Sequence, residues 1–315
     1  MCAAAWRARW YSSPVKSVFD VDGQIRPAVA QSVGRSVAPA CVTLYLAVAL
    51  ALLFTILRRD DGVFTYSLDD PYIHLALAEN IAHGHYGINL AEASSPSSSI
   101  LWPFLLAPFA GRSWDMYVPL AWNVLFCAMA AWLIGRIVDG WESMRRATPQ
   151  AGVAAEARGW LAWLGRFAVA AALMLVANLP GITFVGMEHG LQVLLAIACA
   201  AGMIEAFAGR RISEWCLWAA ALGPMVRYEN FALLAAVAIA LYGQGRAGAA
   251  ARLAGLSLIG PALFSIFLVS RGLPLPAHFG AREGEGVFAR FRSCGCESHH
   301  HAAGHVLGRV RGHSA

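Results

Sequence analysis

Apolar runs long enough to cross a bilayer alternate with polar breaks along most of this chain. The first run, residues 38–57, follows a polar, basic stretch and is long enough to span. It could be read as a signal-peptide core, but its length and the runs behind it predict a retained helix. Residues 58–98 are polar. Residues 99–110 are apolar but short and broken by Pro103 and Pro108, which suits an interfacial or re-entrant piece. Further runs at 114–134, 167–185, 190–208 and 253–269 predict spans, joined by two shorter ones at 215–226 and 231–242. The pattern therefore predicts an all-α, polytopic transmembrane helical bundle of about seven spans.

Composition supports this reading. Of 315 residues, 58% are hydrophobic and 14% charged, where a soluble domain carries roughly 25% charged residues. The net charge of +5 comes almost wholly from arginine, Lys16 being the sole lysine. In a chain this apolar, a basic balance signals topology and anionic lipid contact; no nucleic acid partner is expected. Seven cysteines are scattered. Cys2, Cys41, Cys127, Cys199 and Cys216 stand alone, mostly among apolar residues, and read as small core side chains without a disulfide framework.

Charge sets the expected orientation. With the N-terminus cytoplasmic, the inside loops are 1–37, 135–166, 209–213 and 243–252, holding 14 Arg and Lys residues. The outside segments 58–113, 186–189, 227–230 and 270–281 hold 5. That bias obeys the positive-inside rule. It divides the chain into a cytoplasmic segment at 1–37, a transmembrane core at 38–281 with its first outer loop at 58–113, and a tail at 282–315.

This topology puts four polar clusters on one extracytoplasmic face: Asp69-Asp70; Glu188-His189; Arg227 with Glu229; and His278 beyond Pro274 and Pro276. Each sits at a helix end in otherwise apolar sequence. Asp70 precedes Pro71 and reads as the N-cap of a short helix reaching about His83. On that helix Ile73, Leu77 and Ile81 would face the membrane while His74, Glu79 and Asn80 point elsewhere. A carboxylate pair at a lipid–water boundary can serve as a general base or hold a divalent cation, and a plain N-cap beside a solvated acid is the simpler alternative. Arg227 and Glu229 could equally form a structural ion pair.

The order of these clusters resembles the polytopic GT-C-type glycosyltransferases, which use polyprenyl-phosphate-linked sugars. Among them it is most similar to the bacterial terminal arabinofuranosyltransferase-like and mannosyltransferase-like groups. The acidic pair and its helix carry the likeness most specifically, from Asp69 through Gly84, with Gly87 and Asn89 following. A serine-rich stretch, Ser94–Trp102, comes next. Gly186-Met187-Glu188, Arg227-Tyr228-Glu229 and Leu273-Pro274 continue the order. Tyr228 stands where the family has proline, His189 where it has threonine, and Arg282 where a lysine is expected.

The resemblance implies transfer of a sugar from a polyprenyl-phosphate donor to a cell-envelope glycan, lipid or protein acceptor, on the outer face of the bacterial plasma membrane. Asp69 or Asp70 would be the catalytic base, with inversion at the sugar. His74, Glu188, His189, Arg227, Glu229 and His278 would bind substrate. No glycine-rich loop for a nucleotide sugar is present, in keeping with a lipid-borne donor. A transporter is the main alternative, although its charges would sit mid-span rather than at span ends.

The tail differs in character. Cys294, Cys296 and the run His299-His300-His301 fit no standard zinc spacing. The segment reads as a frameshifted or degenerate end, which would make this copy truncated and an inactive membrane remnant a further alternative.

Overall fold

The computed structural model describes residues 35–90, 94–146 and 155–273, with the backbone alone for 142–146 and 155–158. Residues 1–34 of the expected cytoplasmic segment 1–37, together with His278, the Pro274/Pro276 pair and the Cys/His-rich tail, lie outside the described residues.

The described chain is all-helical, without strands. In order, the helices are α1 (Ala38–Arg59), α2 (Asp70–Ala82), α3 (Leu101–Leu106), α4 (Val118–Arg146), α5 (Ala155–Val176), α6 (Leu179–Thr183), α7 (His189–Phe207), α8 (Glu214–Val226), α9 (Phe231–Gly243) and α10 (Ala247–Ser270). Five segments are long and apolar enough to cross a membrane: Ala38–Arg59, Asp115–Trp141, Gly159–Val176, His189–Phe207 and Ala247–Ser270. Their outer surfaces carry large bare apolar side chains, among them Leu50, Trp132, Leu175 and Ile266. A water-soluble surface does not tolerate such continuous apolar cover, whereas lipid does, so this is a membrane protein.

The two expected short spans are the 13-residue helices α8 and α9. At 1.5 Å per residue each rises about 20 Å, less than the roughly 30 Å hydrocarbon core. The chain nevertheless travels between the two ends of the bundle through them. Ser213, just before α8, donates its amide to Glu205 Oε2 near the end of α7. Arg227, just after α8, bonds Glu188 at the start of α7.

Three expectations need correction. The span expected at 167–185 begins earlier and stops at Val176, because Asn178 adopts a left-handed backbone (φ 49°) and Pro180 starts the separate short helix α6. The arginine-rich loop expected at 135–166 is mostly helix: α4 continues to Arg146 and α5 starts at Ala155. Good helix formers there extend both helices past the apolar runs that sequence hydropathy marks. Finally, the supposed membrane face of α2 packs on protein. Leu77 is fully buried against Tyr86, Ile100, Phe264 and Leu268, with Ile81 beside it.

The bundle core has two main parts. Leu195, Cys199, Cys216, Val237 and Leu241 join α7, α8 and α9. Cys41, Tyr45, Cys127, Ala131, Ala170 and Met174 join α1, α4 and α5. Small residues allow close approach of helices in lipid. A Cβ at Gly135 would come within 2.5 Å of the Ala38 backbone, where α4 crosses α1. Cys41, Cys127, Cys199 and Cys216 are all buried free thiols, in line with a core role.

Alternating helix directions gather α2, α3, the turn before α7 and the turn between α8 and α9 at one end. Asp139, Arg166 and Ser36 meet at the other, where Arg166 Nη1 donates to Asp139 Oδ1 at 2.8 Å.

Candidate functional site

The acidic pair sits on a loop fixed by tyrosines. Tyr66 donates its hydroxyl to the Met116 carbonyl at 2.8 Å and accepts the Leu120 amide at 3.1 Å. Tyr72 in turn accepts the Tyr66 amide at 3.0 Å, and the two rings meet edge to face. Burial pushes the Tyr66 phenol up, so it stays protonated as the donor this arrangement needs.

Asp69, not Asp70, occupies the N-cap position of α2. Its carbonyl accepts the Tyr72 and Ile73 amides, while its carboxylate makes no capping bond. The reason is conformational. Asp69 has helical dihedrals (φ −79°, ψ −28°), which aim the side chain away from the first-turn amides. Both carboxylates are exposed, and among the described residues neither has a hydrogen-bond or ion-pair partner. The helix ends in a Schellman motif. The His85 amide reaches the Asn80 carbonyl, the Gly84 amide reaches Ile81, and Gly84 takes φ 80°.

One turn beyond Asp70, His74 points inward and is 3% exposed. Its Nε2 lies 3.7 Å from Glu188 Oε2 and its Nδ1 3.4 Å from the Ser97 hydroxyl. Ser97 directs its own proton to the Ser99 carbonyl at 2.7 Å. Burial lowers the His74 pKa below the usual imidazole value, against the opposing pull of Glu188 and Asp70.

Glu188 is the buried centre of the site, fully shielded from solvent. It holds the N-cap position of α7. Arg227 Nη1 donates to Glu188 Oε1 at 3.0 Å, and the Ser98 hydroxyl lies 3.4 Å from the same oxygen. Glu188 Oε2 has no hydrogen-bond partner and faces only His74. Arg227 grips Glu229 with a fork, Nε to Oε2 at 3.2 Å and Nη2 to Oε1 at 3.0 Å. Arg227 holds the exposed Glu229 carboxyl below its ordinary range, and Glu229 and Glu188 together raise Arg227. These three bonds leave two of the five guanidinium N–H groups for another acceptor.

The turn carrying Glu188 is pinned from two sides. Gly186 has φ 76°, and a Cβ there would fall 2.6 Å from the Tyr66 ring and 2.9 Å from Pro71 Cβ. Asn123 of α4, fully buried, donates to the Met187 carbonyl at 3.0 Å. The Glu188 turn therefore rests directly on the loop that presents Asp69 and Asp70. His189 opens α7 and is close enough to act electrostatically on both His74 and Glu229.

Three of the four predicted clusters thus converge, bringing Asp70, His74, Glu188, His189, Arg227 and Glu229 into one neighbourhood. The fourth, His278, lies outside the described residues. Sequence reasoning missed Asn123, Ser97 and Ser98. Asn123 was detectable as an amide inside an apolar span, a position where polar groups carry a cost; the serines had no signal beyond their run. Among the described residues no three carboxylate, histidine or cysteine side chains group to hold a metal ion.

Comparison of the chain with family models, with curated proteins and with solved structures finds no match.

Proposed function

We propose that this chain is a polytopic membrane glycosyltransferase of the GT-C type, moving a sugar from a polyprenyl-phosphate donor to a glycan, lipid or protein acceptor of the cell envelope. The observation that carries the reading is a division of labour among carboxylates at one end of the bundle. Asp69 and Asp70 stand exposed and unpaired at the head of α2. Glu188, beneath them, is buried and neutralised by Arg227. A carboxylate locked to arginine is a poor base; a free, solvent-facing one can take a proton.

In this reading Asp69 or Asp70 accepts the proton of the acceptor hydroxyl. That oxygen attacks the anomeric carbon from the face opposite the phosphate. The bond between that carbon and the phosphate oxygen breaks, and polyprenyl phosphate leaves with the electron pair, inverting the centre. The two spare N–H groups of Arg227 suit an anionic phosphate oxygen. His74 and His189 flank the same space. In this proposal α8 and α9 complete seven crossings of the bacterial plasma membrane, and the arginine bias between the two sets of loops supports an extracytoplasmic site under the positive-inside rule.

A glycolipid and cell-envelope sugar profile of a deletion strain tests this reading. The expected result is loss of one sugar linkage, restored by the wild-type gene. An unchanged profile would reject the assignment.

A further inference from the structure

A groove of 960 Å³ opens on the lipid-facing side between α4, α7 and α8. Its size is at the upper end of the roughly 300–1,000 Å³ typical of ligand pockets. It lies far from Glu188. Asn123, which holds the Glu188 turn, and Arg136, at the groove mouth, are both on α4 and about 20 Å apart along the helix axis. The groove therefore faces the opposite membrane boundary from the site.

Its walls are apolar and aromatic. Trp132 of α4 faces Trp215 and Trp218 of α8, all three exposed, over a floor of Leu195 and Ala198 from α7. Its mouth is cationic. Arg136 and Arg210 line it, both exposed and neither in an ion pair among the described residues. Arg136 lies over the Trp132 ring, 5.7 Å from its centroid. The nearby acids are engaged: Asp139 is bonded to Arg166, Ser36 and the Val37 amide, and Glu205, which also lines the groove, accepts the Ser213 amide. Tryptophan and arginine at one depth mark a membrane interface, and guanidinium groups match phosphate oxygens.

We propose that this groove is a binding site for an anionic phospholipid, its acyl chains between the tryptophans and its phosphate on Arg136 and Arg210. The site is distinct from the Glu188 cluster and independent of the reaction catalysed there. Charge complementarity selects the occupant: the two exposed arginines at the mouth match an anionic head group, and the tryptophan walls match its acyl chains.

Native mass spectrometry of the detergent-solubilised chain, given equal phosphatidylglycerol and phosphatidylcholine of the same acyl composition, tests the proposal. Wild type should retain phosphatidylglycerol about tenfold over phosphatidylcholine, whose choline cation cancels the phosphate charge that the two arginines attract. The double variant Arg136→Gln/Arg210→Gln should lose the preference. Arg58→Gln/Arg59→Gln, which removes two exposed arginines at the opposite end, should keep it. Equal retention of both lipids by wild type overturns the site. So does a preference that survives in the groove variant or falls equally in the control. A groove filled by a second copy would appear as a lipid-free dimer and also overturns it. Quenching of tryptophan emission by brominated phosphatidylglycerol, weaker in the groove variant, gives an independent reading.

Discussion

Arg227 Nη1 donates to Glu188 Oε1 at 3.0 Å, tying the C-cap of α8 to the N-cap of α7. The pair is asymmetric: the Glu188 side chain is fully buried while that of Arg227 is 20% exposed. Glu188 therefore depends on Arg227 more than the reverse. Arg227 retains Glu229 if Glu188 is lost, whereas Glu188 has only the long Ser98 and His74 contacts if Arg227 is lost.

Removing Arg227 should accordingly cost more than removing the charge of Glu188. Arg227→Gln leaves a buried carboxylate without its counter-ion and should destabilise toward the lower end of the roughly 3–5 kcal/mol known for broken buried pairs, given the partial exposure of Arg227. Glu188→Gln keeps an oxygen acceptor for Arg227 and should cost less. Unfolding of the two variants in matched detergent compares them directly; equal losses would show that Glu188 is not the dependent partner.

Gly186→Ala meets two penalties at once. The left-handed backbone costs roughly 1–2 kcal/mol for a residue with a Cβ, and the new methyl collides with Tyr66 and Pro71, adding roughly 1–3 kcal/mol. Because that contact joins the Glu188 turn to the acidic pair, the variant should also lose most sugar transfer at temperatures where it remains folded. Thermal unfolding together with a transfer assay on membranes checks both effects.

Asn123→Leu strips the buried Met187 carbonyl of its side-chain partner. The expected loss is about 1–3 kcal/mol. Asn123→Asp, which cannot donate when ionised, should be worse. The measurement is the unfolding midpoint of each variant in detergent; an Asn123→Leu protein as stable as wild type would mean that the Met187 carbonyl finds another donor.

The sequence made the ends of the site legible for a physical reason. Charge stands out in an apolar chain, and Glu188, Arg227 and Glu229 are visible because little else near them is polar, while Asp69, in the polar stretch 58–98, is visible through its pairing with Asp70 ahead of Pro71. What hydropathy does not encode is which carboxylate goes inside. Asp69 and Glu188 both sit at helix starts, yet one is exposed and the other buried: Glu188 turns inward to Arg227 and His74, and the Gly186 turn before it packs against Tyr66 and Pro71. Hydropathy also misplaced the third span. The run 167–185 is apolar throughout, and only the left-handed Asn178 followed by Pro180 divides it. The inward face of α2 was misread for a similar cause: an apolar stripe at helical spacing does not say whether lipid or Phe264 and Leu268 will cover it.

Stability should fall with pH through the His74 window. Burial places the folded His74 pKa below its ordinary value of 6.5, so below pH 6.5 the unfolded chain takes up a proton that the native state resists. Native stability is then lost as pH drops, by at most about 1.4 kcal/mol per pH unit. His74→Gln removes this dependence between pH 7 and 5.5. Unfolding midpoints across that range, wild type against variant, give the comparison; parallel curves would remove His74 from the account.

The central claim is that the exposed acids of α2 perform the transfer. It is tested most directly by the rate at which purified protein moves sugar from a polyprenyl-phosphate-linked donor to acceptor, in wild type, Asp69→Asn and Asp70→Asn. Both acids are exposed and unpaired, so both variants should fold and insert normally. At least one should lose a factor of about 10²–10⁴ in rate, the usual contribution of a positioned base. Transfer at the wild-type rate in both variants would contradict the account.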